Sequence, residues 1–164
     1  MQIENSKESF KIVDYRDDLS HYIKTLNYEW LERYFHLEEG DIISLSNPKK
    51  EIIDKGGYIF FVEKDSEIIG TASLLKKNTT VFELGKMAIT EKSQGKGIGK
   101  ALLTHCLDFA KSHSISIIIL YSNTKLESAI RLYKKIGFKE IPLEKGLYER
   151  ANIKMQLDMK NYNT

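Results

Sequence analysis

A glycine-rich hexapeptide, Gln94-Gly95-Lys96-Gly97-Ile98-Gly99, joins a strand-like segment to a helix-like one. Before it, Glu83-Leu84-Gly85-Lys86-Met87-Ala88-Ile89 reads as a strand. After it, Ile98, Leu102, Cys106 and Phe109 recur on one face, with Leu103 and Ala110 beside them, which predicts a helix over 97–112. Residues 115–121, Ile-Ser-Ile-Ile-Ile-Leu-Tyr, form the kind of apolar run found in a strand covered on both faces. Strand, short turn, helix and buried strand make a βαβ unit, so the strands over 81–90 and 115–121 are expected to be parallel.

The turn has its own chemistry. Glycine removes the Cβ that would hold a ligand off the backbone. The first turn of a helix carries N–H groups without internal partners and a partial positive charge. Together they form a cradle for a phosphate or pyrophosphate. Two common phosphate motifs do not fit. Gly99-Lys100 offers the Gly-Lys of a P-loop, but the motif's first glycine falls on Gln94 and its hydroxyl on Ala101. The dinucleotide fingerprint fits Gly95 and Gly97, but its third glycine falls on Lys100.

The 164 residues suit one domain, 1–164, with a core over about 10–160. A net charge of +2 argues against nucleic-acid binding driven by gross electrostatics, and no apolar run approaches membrane-spanning length. Residues 1–8 lack the apolar region of a signal peptide, which makes a cytoplasmic location the default. The lone Cys106 lies on the helix stripe and reads as core. His21, His36, His105 and His113 show no ligand spacing, so no metal is expected.

Elsewhere, residues 10–15 alternate as a first strand. Residues 16–35 read as two helices with a bend near Asn27-Tyr28. Residues 37–47, with Glu38, Glu39 and Asp41, read as a solvated acidic surface or as a patch that attracts an amine. Residues 48–55 read as a short helix capped by Asn47, with Pro48 at its first position. Residues 58–62, 68–75 and 81–90 form an antiparallel meander. A helix over 126–136 ends at Gly137, and strands over 138–143 and 153–159 close the chain around a polar loop, 144–151.

Two segments carry a family resemblance. Gln94, Gly97 and Gly99 fit Gln/Arg-x-x-Gly-x-Gly/Ala, and Ala129-Ile130-Arg131-Leu132-Tyr133-Lys134-Lys135-Ile136-Gly137-Phe138 fits Ala-x-x-Leu-Tyr-x-x-x-Gly-Phe. In order and spacing, residues 58–160 resemble the GNAT superfamily of N-acetyltransferases. That resemblance implies an α/β fold of mixed α+β type: a central, mostly antiparallel sheet with a parallel pair at a coenzyme cleft, and helices on both faces. It implies acetyl-CoA as co-substrate and direct attack by a primary amine, on a small molecule or a protein, in a ternary complex. A homodimer is compatible with it. A coenzyme-binding sensor without turnover is the second reading.

The resemblance also assigns residues. Gln94, Gly95, Lys96, Gly97, Ile98, Gly99 and Lys100 would hold the pyrophosphate, chiefly by backbone amides. Met87, Ala88 and Ile89 would pair with the pantetheine arm, and an amide of Met87 or Ala88 would polarise the thioester. Asn123 and Ser128 resemble coenzyme contacts, though Asn123 also suits a turn or cap. Tyr133 matches the tyrosine near the coenzyme sulfur; its helix stripe alone would place it in the core. Glu83 matches a strand glutamate that receives the amine proton, directly or through water, with Glu29 and Glu32 as weaker alternatives. Tyr148, Glu149 and Arg150 are candidates for shaping the acceptor pocket.

Overall fold

Strand-forming and helix-forming segments alternate in the computed structural model, which describes residues 9–146 and 148–163. The reading of residues 1–8 lies outside these. The strands are β1 (Lys11–Asp14), β2 (Tyr58–Lys64), β3 (Glu67–Lys76), β4 (Val81–Ile89), β5 (Ile117–Ser122), β6 (Lys139–Ile141) and β7 (Ile153–Asp158). The helices are α1 (Ser20–Tyr34), α2 (Glu39–Ser46), α3 (Ile98–Ser112) and α4 (Glu127–Ile136). The strands form one sheet in the order β1-β2-β3-β4-β5-β7-β6, antiparallel except for the β4–β5 pair. The parallel pair is where the βαβ reading puts it. Among the described residues no helix is long and apolar enough to cross a membrane.

Helices cover both faces. On one, Leu102, Leu103, Cys106 and Leu107 of α3 pack with Phe60, Leu74, Leu84, Ile118 and Leu120 of the sheet. On the other, Ile23, Leu26 and Leu31 of α1 and Leu45 of α2 pack with Ile59 and Phe61. Each such leucine or isoleucine contributes about 1.5–3 kcal/mol on burial. The α3 row therefore holds the N-terminus of that helix firmly beside the end of β4. Cys106 is buried, and burial pushes its thiol up to about 12, far from the reactive thiolate form.

Three local expectations change. First, α1 runs unbroken after a short 3₁₀ turn, Asp17–Leu19, without the bend expected near Asn27-Tyr28. The Asn27 amide donates to Ile23 O at 2.8 Å and to Lys86 O at 3.2 Å, so its polar group is satisfied inside the packing. Second, the acidic stretch is not simply a solvated surface: Glu39–Ser46 is helical and Asp41 is 1% exposed. A reciprocal capping box between Glu38 and Asp41 starts that helix. Third, Asn47 does not cap the next segment. It ends α2, with its amide on Ile43 O at 3.3 Å, and Pro48 precedes a single wide turn, Lys49–Ile53.

Candidate active site

The glycine turn owes its shape to backbone conformation. Gly95 and Gly97 have φ of +77° and +80°, which L side chains rarely adopt. Gly97 is the N-cap of α3 and supplies no side-chain cap, so the first N–H groups of that helix face outward without a side-chain acceptor. Gly99 differs. It is helical, and a Cβ there would meet only Met87 Cε, at 4.0 Å. The fold does not require glycine at 99, whereas a ligand lying against the backbone would. The residues present thus suit a pyrophosphate. Gln94 donates to Ile89 O at 3.0 Å and ties the turn to the end of β4. The Ile98 side chain is buried, and Lys96 and Lys100 are exposed.

The end of β4 is bent. Ser73 pairs with Gly85 and Thr71 with Ala88, so β4 carries one residue more than β3. This is a β-bulge, and Lys86 within it has φ +51°. A non-glycine residue held there costs on the order of 1 kcal/mol and persists only where neighbours impose it. Asn27 on the Lys86 carbonyl and Asp41 at the Lys86 ammonium are those neighbours. On its other side β4 pairs with β5 only from Val81–Ile117 to Leu84–Leu120. Beyond Leu84 the strands part, and Met87, Ala88 and Ile89 form the edge of a cleft of about 590 Å³.

Glu83, Gln94, Asn123, Ser128, Tyr133, Tyr148 and Arg150 all line that cleft. Gly95 to Lys100 lie outside its lining, beyond Gln94. The Asn123 side chain is engaged locally, donating to Arg150 O at 2.8 Å and accepting from Lys125 N at 2.9 Å. Ser128 Oγ lies 3.4 Å from an Arg131 nitrogen. Glu29 and Glu32 do not line the cleft; Glu29 accepts from Glu91 N at 3.0 Å. Tyr133 packs edge-on to Phe138, and its hydroxyl bonds to no described residue. Burial pushes the phenol up to about 12. The ring is partly accessible through the cleft although its surroundings are densely desolvating.

The cleft wall away from the glycine turn is a charged cluster. Glu83 is 3% exposed and accepts from the Tyr148 hydroxyl at 3.0 Å. The Lys77 ammonium sits 3.0 Å from its other oxygen as an ion pair, without hydrogen-bond alignment. Arg150 grips Asp41 through two bonds, 2.6 and 2.8 Å, and Glu38 through one of 2.6 Å. Lys86 reaches Asp41 at 3.3 Å. Burial alone would raise the Asp41 carboxyl, but the Arg150 hydrogen bonds and the Lys86 and Arg150 charges outweigh it and leave it below the usual range. Burial pulls Lys86 down, and Asp41 offsets this only in part. The partners differ because Arg150 takes both Asp41 oxygens and Lys86 is left with one long contact.

Lys77 and Lys86 are the members that sequence reading missed, and Asp41, read there as part of an acidic surface or amine-attracting patch, is instead held by Arg150 and Lys86. One signal exists: Lys86, three residues after Glu83, is out of phase with it in the strand and breaks the alternation, as a bulge does.

The model of the acetyltransferase (GNAT) family matches residues 18–138. The chain is 26% identical over 136 residues to an uncharacterised N-acetyltransferase, YvbK, of Bacillus subtilis, covering 73% of this chain and 88% of that protein. It spans half or less of the length of the rat relatives it matches. A GNAT-family acetyltransferase from Staphylococcus aureus Mu50 superposes with a TM-score of 0.81 at 21% identity, covering 92% of this chain and 99% of that one. Spermidine N-acetyltransferase from Vibrio cholerae, in complex with CoA and spermine, superposes at 0.70 and 21%, covering 93% and 97%. At these identities the structural likeness is one of fold.

Proposed function

Since the chain belongs to the acetyltransferase (GNAT) family, we propose that it transfers the acetyl group of acetyl-CoA to a primary amine by direct attack in a ternary complex. One observation carries the reading: a strand edge freed by a bulge and a splay leads into a glycine cradle, with Tyr133 and Glu83 in the walls of the same cleft. The fold likeness to a Vibrio enzyme solved with CoA and spermine supports it. Two groups suited to proton handling favour turnover over binding alone.

The coenzyme supplies a thioester, whose carbonyl carbon is the electrophile. The N–H groups at the start of α3 hold the diphosphate. An amide of Met87 or Ala88 donates to the carbonyl oxygen as negative charge gathers there. Glu83 takes the proton that the acceptor must lose, because an ammonium has no lone pair. Its oxygens keep lone pairs beyond those that face Tyr148 and Lys77. The amine nitrogen then bonds to the carbonyl carbon, the carbon–sulfur bond breaks, and the sulfur keeps the bonding pair. Tyr133 donates to that sulfur. Burial pushes its phenol up to about 12, above an ordinary thiol at about 8.5, which favours a hydrogen bond to the sulfur over complete proton transfer.

The test is thiol release from acetyl-CoA with a panel of amines. Tyr133→Phe should lower kcat about 100-fold and leave the KM for acetyl-CoA nearly unchanged. Losses of equal size in both would remove Tyr133 from the chemistry. Gly99→Ala separates fold from ligand. The added methyl group suits a helix and should raise stability by about 0.5–1 kcal/mol while weakening coenzyme A binding in calorimetry. Unchanged binding would place the diphosphate elsewhere.

A further inference from the structure

Lys86 has more donors than the protein satisfies. Its side chain is 8% exposed, yet of its three N–H donors only one has a hydrogen-bond acceptor, Asp41 at 3.3 Å, among the described residues. The ammonium also lies 5.6 Å from the centre of the Tyr148 ring, a face contact that leaves the other donors unmatched. Lys86 lines the cleft, so a ligand there can bring oxygen atoms to those donors.

That lysine flanks the position where the amine must sit. Tyr148 touches both groups, its hydroxyl on Glu83 and its ring under Lys86, and all three line the cleft. The balance of charge points the same way. Asp41 and Glu38 together are matched by Arg150 and Lys86, and Glu83 by Lys77. The one other carboxylate in the lining, Glu127, is exposed at the start of α4. A chain of several ammonium groups would find no carboxylate to spare beside Glu83. A carboxylate would find an underused cation.

Resting on the acetyl-transfer reading above, we propose that the acceptor is a free amino carboxylate, its carboxylate held by Lys86 and its amine turned toward Glu83. Asp41 stays gripped by Arg150 throughout, so Lys86 can turn two donors to the ligand without stranding a buried acid.

The experiment compares amino acids with their decarboxylated amines, and both with polyamines, as acceptors for the wild-type protein and Lys86→Met. The expected result is a kcat/KM at least about tenfold higher for the amino acid, the yield of one charge-assisted hydrogen bond, with that ratio collapsing in K86M. Retained coenzyme A binding checks that K86M is folded, and K86Q serves if it is not. Decarboxylated amines or polyamines used as well as amino acids would overturn the inference and leave acetyl transfer standing. So would a ratio unchanged in K86M, the outcome of a purely structural Lys86. Calorimetry of coenzyme-loaded protein with N-acetylamino acids gives a readout independent of turnover, and absence of binding there also overturns it. Failure of every amine would sink the transfer reading and this inference together.

Discussion

Glu83→Gln is expected to lower kcat/KM for the amine by about a hundredfold or more, the usual scale for losing a general base. Glutamine is nearly isosteric and keeps an oxygen to accept from Tyr148, so the cleft should hold its shape. What it loses is the capacity to take a proton. Its amide nitrogen would face Lys77, whose side chain, 36% exposed, can turn to solvent. Because Glu83 itself is buried, the effect on stability should be about 1–3 kcal/mol. Coenzyme A binding, made at the other end of β4, should not change. The deficit should also shrink as pH rises, because an amine deprotonated in bulk water no longer needs Glu83. Rates measured from neutral pH toward the amine's own pKa check this. A deficit below tenfold at neutral pH, or one that stays constant with pH, would remove Glu83 from the mechanism.

Asp41→Ala should be the most destabilising single change at the site. It leaves Arg150 and Lys86 facing each other without the acid that both grip. Breaking a buried pair from one side costs about 3–5 kcal/mol, and the low end applies because Arg150, 19% exposed, keeps some access to water. For a chain of this size, about 3 kcal/mol corresponds to a fall in Tm of roughly 6–12 °C. Turnover should fall too, since Arg150 and Tyr148 share the loop that Asp41 anchors to α2. The pH dependence has a definite sign. The folded Asp41 carboxyl lies below its unfolded value of about 3.9, so its contribution is fully present above that pH. It is lost as pH falls through the lower, folded value. The gap in stability between wild type and Asp41→Asn should close in that acid range. A gap that closed near neutral pH would contradict the assignment.

The features legible in advance were those that follow from local spacing. Gln94, Gly97 and Gly99 stand out because a strand, a turn and a helix start adjoin along the chain. Tyr133 stands out because its segment repeats a family pattern. The acidic stretch was legible only as two options, since nothing near Asp41 in the chain reveals Arg150, 109 residues away, or Lys86, 45 away. Asn27 looked like a helix breaker for the same reason: the Lys86 carbonyl that receives it lies 59 residues on. The bulge at Lys86 left a faint mark, a charged residue out of phase in a strand, which only the pairing of β4 with β3 makes readable.

By itself the sequence determined the strands, the helices α3 and α4, the parallel pair and the glycine turn, because periodicity, glycine conformation and crossover handedness act over a few neighbouring residues or one βαβ unit. The tertiary structure alone decided which side chains share the cleft, and it joined Glu83 to Tyr148 across 65 residues. It also gave Lys86 a single hydrogen-bond acceptor, Asp41, among the described residues. Such pairings depend on where distant segments come to rest once the apolar faces are buried, and no local pattern encodes that distance.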